Sequence, residues 1–351
     1  MNHKERQLAA IRHECPDRVP VDVITIETVP QIALHLGIAQ EAVYEHLGID
    51  GRIVGIGAYR GPLANGPDGQ PTTPWGTVSD GQSYDTVRPY PMAPDISVAQ
   101  VEKYAWPEPG LFDYEASAKA SQILCDRYAV RGPTWTPLFD RVCDMIGMEE
   151  AMVQLMAQPE VFEAILESVF VRTYDMFRRL IEACGPAMPI FTMGDDFATQ
   201  RGMMISPGAW RRLLKPRYAK IFDLAKRAGK YVWFHSCGDI TPVLPDLLDI
   251  GMDVWETVQL HTLPIPPEKL KREYGRNLAF FGGISTQRLP FMTPEGVAEE
   301  VNRCIRLLGK GGGYICGPDH HIKPDVPARN TLALFGTACE FKEPGYTRLE
   351  A

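Results

Sequence analysis

A histidine and a cysteine stand two residues apart in the stretch YVWFHSCGDI, at positions 235 and 237. The apolar run before them reads as a buried strand, which puts both at its end. Residues i and i+2 of a strand share a face, so the His235 imidazole and the Cys237 thiol can reach one point. Cys316 follows a second apolar run, in GYICGP. One imidazole and two thiols form a soft N/S set that suits zinc, and three protein ligands with an exchangeable fourth position is the catalytic arrangement. Three other groups fall at strand ends. Glu256, in MDVWETV, is a candidate fourth ligand or base. The pair Asp195-Asp196 follows Gly194. Asp319-His320-His321 follows Cys316, and neighbours in extended chain face opposite ways, so one of these histidines at most is expected to reach the site.

Each of these residues has a plainer reading. Cysteine is among the most buried residue types and often only fills core, which is the stronger reading for Cys316 taken alone. It is also the reading for the cysteines at 15, 125, 143, 184, 304 and 339. Glu256 equally suits a salt bridge or a solvated carboxylate. Asp195 and Asp196 equally suit helix capping and loop hydrogen bonds. His261 has no supporting context.

The elements that must position these groups follow from the alternation of short apolar runs with amphipathic segments. Strands are expected at 19–25, 52–58, 128–135, 188–195, 231–237, 252–258, 278–284 and 313–318. Ser206-Pro207 opens a helix running to about Ala228, with a kink at Pro216; Thr241-Pro242 and Thr293-Pro294 open two more. Strands alternating with helices imply parallel βαβ units, and eight of them predict a (β/α)8 TIM-type barrel. Catalytic groups in that architecture lie at the C-terminal ends of the strands, where the candidates above fall. The whole chain, 1–351, is expected to form one such domain. The Pro/Gly-rich stretch 61–76 is read as an excursion over a rim.

Composition excludes several classes. The 351 residues are 45% hydrophobic and 23% charged, with 30 prolines and 31 glycines, the balance of a globular protein. A net charge of −8 argues against nucleic acid or an anionic membrane as the main partner. No stretch approaches the roughly 18 apolar residues of a membrane span. The start of the chain has no continuous apolar run of the signal-peptide kind. Eight scattered cysteines then suit a reducing cytoplasm, with free thiols or metal ligands in place of disulfides.

Long stretches of the chain resemble one superfamily, that of uroporphyrinogen decarboxylase and the corrinoid-dependent methyltransferases. They are ERQLAAIRHECPDRVPV, GDDFATQRGMMISPGAWRRLLKPRYAKI, YVWFHSCGDITPVLPDLLDIGMDV, FFGGISTQ and GGGYICGPDHHIKPDVPARN. The resemblance implies the same barrel. The decarboxylase carries an arginine-containing motif after its first strand that holds substrate carboxylates. Here that stretch reads Ile24-Thr25-Ile26-Glu27-Thr28-Val29, with no arginine and a repelling glutamate. The zinc-containing methyltransferase branch has H-x-C and a later cysteine, which His235, Cys237 and Cys316 resemble. The implied function is methyl transfer between a small donor or acceptor and a corrinoid. The chain lacks a D-x-H-x-x-G motif, so the corrinoid is expected on a separate partner protein; a homodimer is a further possibility.

Two directions of transfer fit: removal of a methyl group from a methyl ether, or delivery of one to a thiol. Trp135, Phe139, Phe197, Met203, Met204 and Trp255, read as pocket walls, favour an aryl methyl ether. Glu256, Asp195 and His320 are the candidate catalytic residues beside the zinc set. A metal-independent decarboxylase and a non-catalytic tetrapyrrole-binding protein are the alternatives from other classes.

Overall fold

A computed structural model of the chain describes residues 1–66, 69–78 and 90–346. Among these, seven parallel strands form one sheet: β1 (Gly51–Ile53), β2 (Ala129–Gly132), β3 (Ile190–Gly194), β6 (Tyr231–His235), β7 (Val254–Val258), β8 (Ala279–Ile284) and β9 (Tyr314–Pro318), hydrogen-bonded in that order. Between β3 and β6 lies a small antiparallel hairpin, β4 (Ala198–Thr199) and β5 (Gly202–Met203). The eighth stave is irregular. Val21 bridges Cys316 in parallel, with the Cys316 amide donating to Pro20 at 2.8 Å. On the other side the Asp50 amide donates to the Val21 carbonyl at 2.8 Å. The segment 20–22 therefore joins β9 to the neighbourhood of β1 and closes the barrel. The expected (β/α)8 barrel is the observed fold, and every expected strand has a counterpart; the first is reduced to bridges.

Two apolar layers hold the barrel. Ala129, Ile190, Trp233, Val254, Ala279, Phe281 and Ile315 fill its interior, and Ala10 and Ile11 of the helix His3–Ile11 plug one end. The alternate residues of the same strands pack outward against the helices. Both faces of strands β2, β3, β7, β8 and β9 are thus buried, as parallel sheets require. Helix starts follow their caps. Ser206 Oγ accepts from the Ala209 amide at 3.1 Å and Thr293 Oγ1 from the Gly296 amide at 3.2 Å. The kink expected at Pro216 is a break slightly upstream. Helix Pro207–Leu213 ends at Leu214 and helix Lys215–Arg227 begins, because proline lacks an amide and its ring clashes with the preceding turn.

The stretch 61–76 is irregular as expected, with bridges pairing Asn65 with Pro71 and Thr72 with Val78. Residues 67 and 68 of it lie outside the described residues. Trp75 is buried in the main core, edge-on to Trp106 at 6.2 Å, with the Arg141 guanidinium 5.2 Å from its ring.

Candidate metal centre at the barrel mouth

His235 is the last residue of β6 and shares the interior face with Trp233. Beyond it the chain turns at Gly238, whose φ is +79°. A side chain there would start 2.5 Å from the Thr199 carbonyl oxygen, so only glycine lets the turn press against the β4–β5 hairpin. That turn brings the Cys237 Sγ back to 3.6 Å from His235 Nε2. The third member comes from the loop after β9. One ligand atom each of His235, Cys237 and His320 lies within 4.8 Å of the others. The His235 and His320 rings meet edge to face at 6.1 Å, and His321 stacks on His320 at 4.6 Å. Asp319 anchors this loop: its Oδ1 accepts from the Thr286 amide and hydroxyl, both at 2.8 Å.

Glu256 supports the group from below. Its Oε1 lies 2.8 Å from His235 Nδ1, and its Oε2 takes the Trp233 indole N–H. A carboxylate can only accept, so Nδ1 carries the proton and Nε2 is left to face Cys237. Asp196 braces the other side, accepting from the Cys237 amide at 2.7 Å and lying 3.8 Å from His235 Nε2. Trp135 forms one wall, edge-on to His235 at 5.4 Å. A Cβ on Gly194 would lie 2.7 Å from the Trp135 ring, so glycine there makes room for it.

Proton affinities follow from this packing. Burial disfavours the His235 imidazolium, but Cys237, Glu256 and Asp196 outweigh it and hold the pKa well above the ordinary value. Burial pushes the Cys237 thiol up, with the adjacent His235 opposing. Burial also opposes the Glu256 carboxylate, yet Arg131 and the hydrogen bonds from His235 and Trp233 bring its pKa below the usual value. His320 is depressed to about 3 by burial and by the neighbouring His235, which leaves it a neutral imidazole at physiological pH. A neutral imidazole, a thiol that ionises on binding and a basic Nε2 form a donor set suited to Zn²⁺.

Two residues expected at the site lie outside this group. Cys316 is not part of the group. Ile315 faces the barrel interior, so Cys316 faces outward, among Tyr314, Cys304 and Cys339, and burial pushes its thiol up to about 12. Asp195 is not part of it either. Its carboxylate accepts from the amides of Leu138, Phe139 and Asp140 at 2.8–2.9 Å and from the Tyr218 hydroxyl at 2.6 Å, which caps the helix Phe139–Ile146 from the outer layer. Its neighbour Asp196 faces the site, as alternation along an extended chain demands. Glu256 lies beneath the group, holding the far nitrogen of His235. His320 joins the soft set directly. Of the expected walls, only Trp135 meets the group; Phe139, Phe197 and Trp255 are fully buried in the helix-facing core. Met203 and Met204 are half-buried at the hairpin. Sequence inspection named Asp195-Asp196 as a pair and gave the catalytic role to Asp195, whereas it is Asp196 that holds the Cys237 turn.

Asp140 is half-buried beside this cluster. Burial, with the charges of Asp195, Asp144 and Asp196, pushes its pKa up to about 8. The folded chain therefore keeps a proton that the unfolded chain releases above about pH 4. The stabilising effect of that proton is full below that pH and is lost as pH rises through 8. Asp140→Asn should raise the melting temperature, and by more at pH 8.5 than at pH 5. Melting curves at the two pH values check this; an equal or larger gain at pH 5 would contradict the assignment.

The profile of the uroporphyrinogen decarboxylase (URO-D) family matches residues 82–341. The chain belongs to this family. No curated protein matches it by sequence. Among solved structures, a methyltransferase from Methanosarcina mazei has a TM-score of 0.66 at 18% identity, covering 96% of this chain and 98% of the other. At that identity the likeness is one of fold. Glu27, in the stretch after the first strand, pairs with Lys323 at 3.2 Å. No helix among the described residues is long and apolar enough to cross a membrane.

Proposed function

We propose that the protein is a zinc-dependent methyltransferase that takes a methyl group from a methyl ether and passes it to a corrinoid carried by a separate protein. The observation that carries this reading is the convergence of His235, Cys237 and His320 at the mouth of the barrel, in a fold shared with a methyltransferase. His235 through Nε2, Cys237 through its thiolate and His320 through a ring nitrogen would hold the ion, with a fourth position for the substrate. When bound, zinc supplies a Lewis acid that stabilises the oxygen left behind as the methyl group departs.

The ligand charges favour the ether over a thiol. One thiolate and two neutral imidazoles leave a divalent ion with a net charge of about +1, whereas a second thiolate would cancel it. A positively charged centre draws electrons from a bound oxygen. The same charge makes a bound thiolate a poorer nucleophile. The other residues prepare the site. Glu256 fixes the His235 ring, Asp196 fixes the turn that carries Cys237, and Trp135 walls the group beside His235. Nothing among these side chains supplies a nucleophile good enough to accept the methyl group, and this requires the corrinoid.

The test uses the zinc-loaded protein, free cob(I)alamin and a panel of methoxylated aromatics, with the cobalt absorption spectrum as readout. Donor-dependent methylation of the corrinoid is the expected result. Loss of methylcobalamin on adding thiols, with no reaction of the ethers, would select the opposite direction. No change in either arm, repeated with reduced corrinoid proteins in place of the free cofactor, would turn the reading towards a metal-independent decarboxylase or a non-catalytic tetrapyrrole-binding protein.

A further inference from the structure

Below the mouth, on the barrel axis, lies an arginine at the centre of a charged network. The Arg131 side chain extends from β2 and is 1% exposed. Its Nη1 lies 3.3 Å from Glu256 Oε2, its Nε 3.2 Å from Asp22 Oδ2 and its Nη2 3.2 Å from the Val23 carbonyl. Its guanidinium sits over the Trp233 ring at 4.6 Å. Asp22 in turn accepts from Gln7 Nε2 at 2.7 Å and from the Val23 amide at 2.7 Å. The chain of contacts runs from helix His3–Ile11 through Asp22, Arg131 and Glu256 to His235 Nδ1. Every charged member is buried.

Three fully buried charges are a poor way to stabilise a core, since apolar residues of similar volume commonly do better. Their geometry serves something else. Glu256 has two oxygens, and Arg131 and Trp233 engage Oε2, which leaves Oε1 for the histidine. We propose that Arg131 is a positioning residue of the metal centre: by holding the Glu256 carboxylate in one orientation, it fixes the ring angle and tautomer of His235 and so the direction of the Nε2 lone pair. This rests on the metal-centre reading above and deepens it. Groups that hold the far nitrogen of a metal-bound histidine commonly change metal affinity by about 10–100-fold when removed.

The experiment measures metal affinity directly. Zinc affinity is taken from competition with a chromophoric chelator, and the cobalt(II)-substituted protein is examined for its d–d and thiolate charge-transfer bands. Four proteins are compared: the native chain, Arg131→Met, Glu256→Gln and the double variant, with circular dichroism reporting the fold. Arg131→Lys is the fifth, in case Arg131→Met does not fold. Arg131→Met, or Arg131→Lys in its place, should weaken zinc binding by about 10-fold or more and shift the cobalt bands. In the Glu256→Gln background the same substitution should have little further effect, because its route to His235 is already broken. A merely structural role would lower the melting temperature and leave the affinity and the bands of the folded fraction unchanged; that result overturns the inference. So does an equal loss of affinity in both backgrounds. A native protein that takes up neither ion overturns the metal-centre reading, and the inference with it.

Discussion

Cys237→Ala is expected to abolish stoichiometric zinc uptake and to lower methyl transfer by about 10²-fold or more, while the protein melts within a few degrees of the native chain. The thiol is the one anionic donor of the converging group, and a metal that stabilises charge in the transition state contributes several kcal/mol. The fold does not depend on this side chain. Cys237 lies beyond the end of β6, and its contacts are to His235 and Thr257 of the same mouth, at 3.6 and 3.9 Å. The turn around it is held instead by its backbone, through the Asp196 carboxylate, and alanine keeps that amide. Metal analysis after dialysis, circular dichroism and the corrinoid assay check the three parts. A variant that binds a full equivalent of zinc and turns over normally would remove Cys237 from the site.

Asp195→Ala should do the reverse. It takes away the acceptor of three main-chain amides and one tyrosine hydroxyl, all in the buried outer layer. Unsatisfied buried donors cost about 1–3 kcal/mol each, and breaking such a network as a whole costs roughly 3–5 kcal/mol. The expected result is a melting temperature lower by roughly 4–7 °C, with zinc affinity of the folded protein unchanged. Denaturant unfolding together with zinc titration distinguishes the two effects. If Asp195→Ala keeps the native stability and loses the metal, the division of labour between Asp195 and Asp196 is the opposite of the one drawn here.

The two variants mark where the sequence could be read and where it could not. The barrel was legible because alternation of strand and helix is a pattern of many residues, and capping pairs such as Ser206-Pro207 punctuate it. His235 and Cys237 were legible because a spacing of two on one strand needs no knowledge of the rest. Cys316 was misplaced for a definable reason. Both faces of β9 are apolar and buried, with Ile315 inward and Tyr314 and Cys316 outward, so hydrophobicity carries no record of which face is which. The third member of the group lies four residues later, after the strand has ended, and its place is set by loop anchors on either side, Asp319 on Thr286 and Ile322 on Ile26. The expected aromatic walls failed on the same ambiguity. Phe139, Phe197 and Trp255 are as apolar as a pocket would need, but they point at helices.

The closure of the barrel by the segment 20–22 bears on how the chain reaches this state. Sheet neighbours from β1 to β9 can pair in the order in which a ribosome releases them. The first stave can meet the β1 side early, through Asp50, but its other neighbour, around Cys316, lies far along the chain. Until then a nascent chain carries an open sheet, with an unpaired edge on each side of the gap. Closing such a long loop is entropically slow, and exposed strand edges invite pairing with other chains. Completion of the ring would thus be the step at which nascent chains are most dependent on protection from one another.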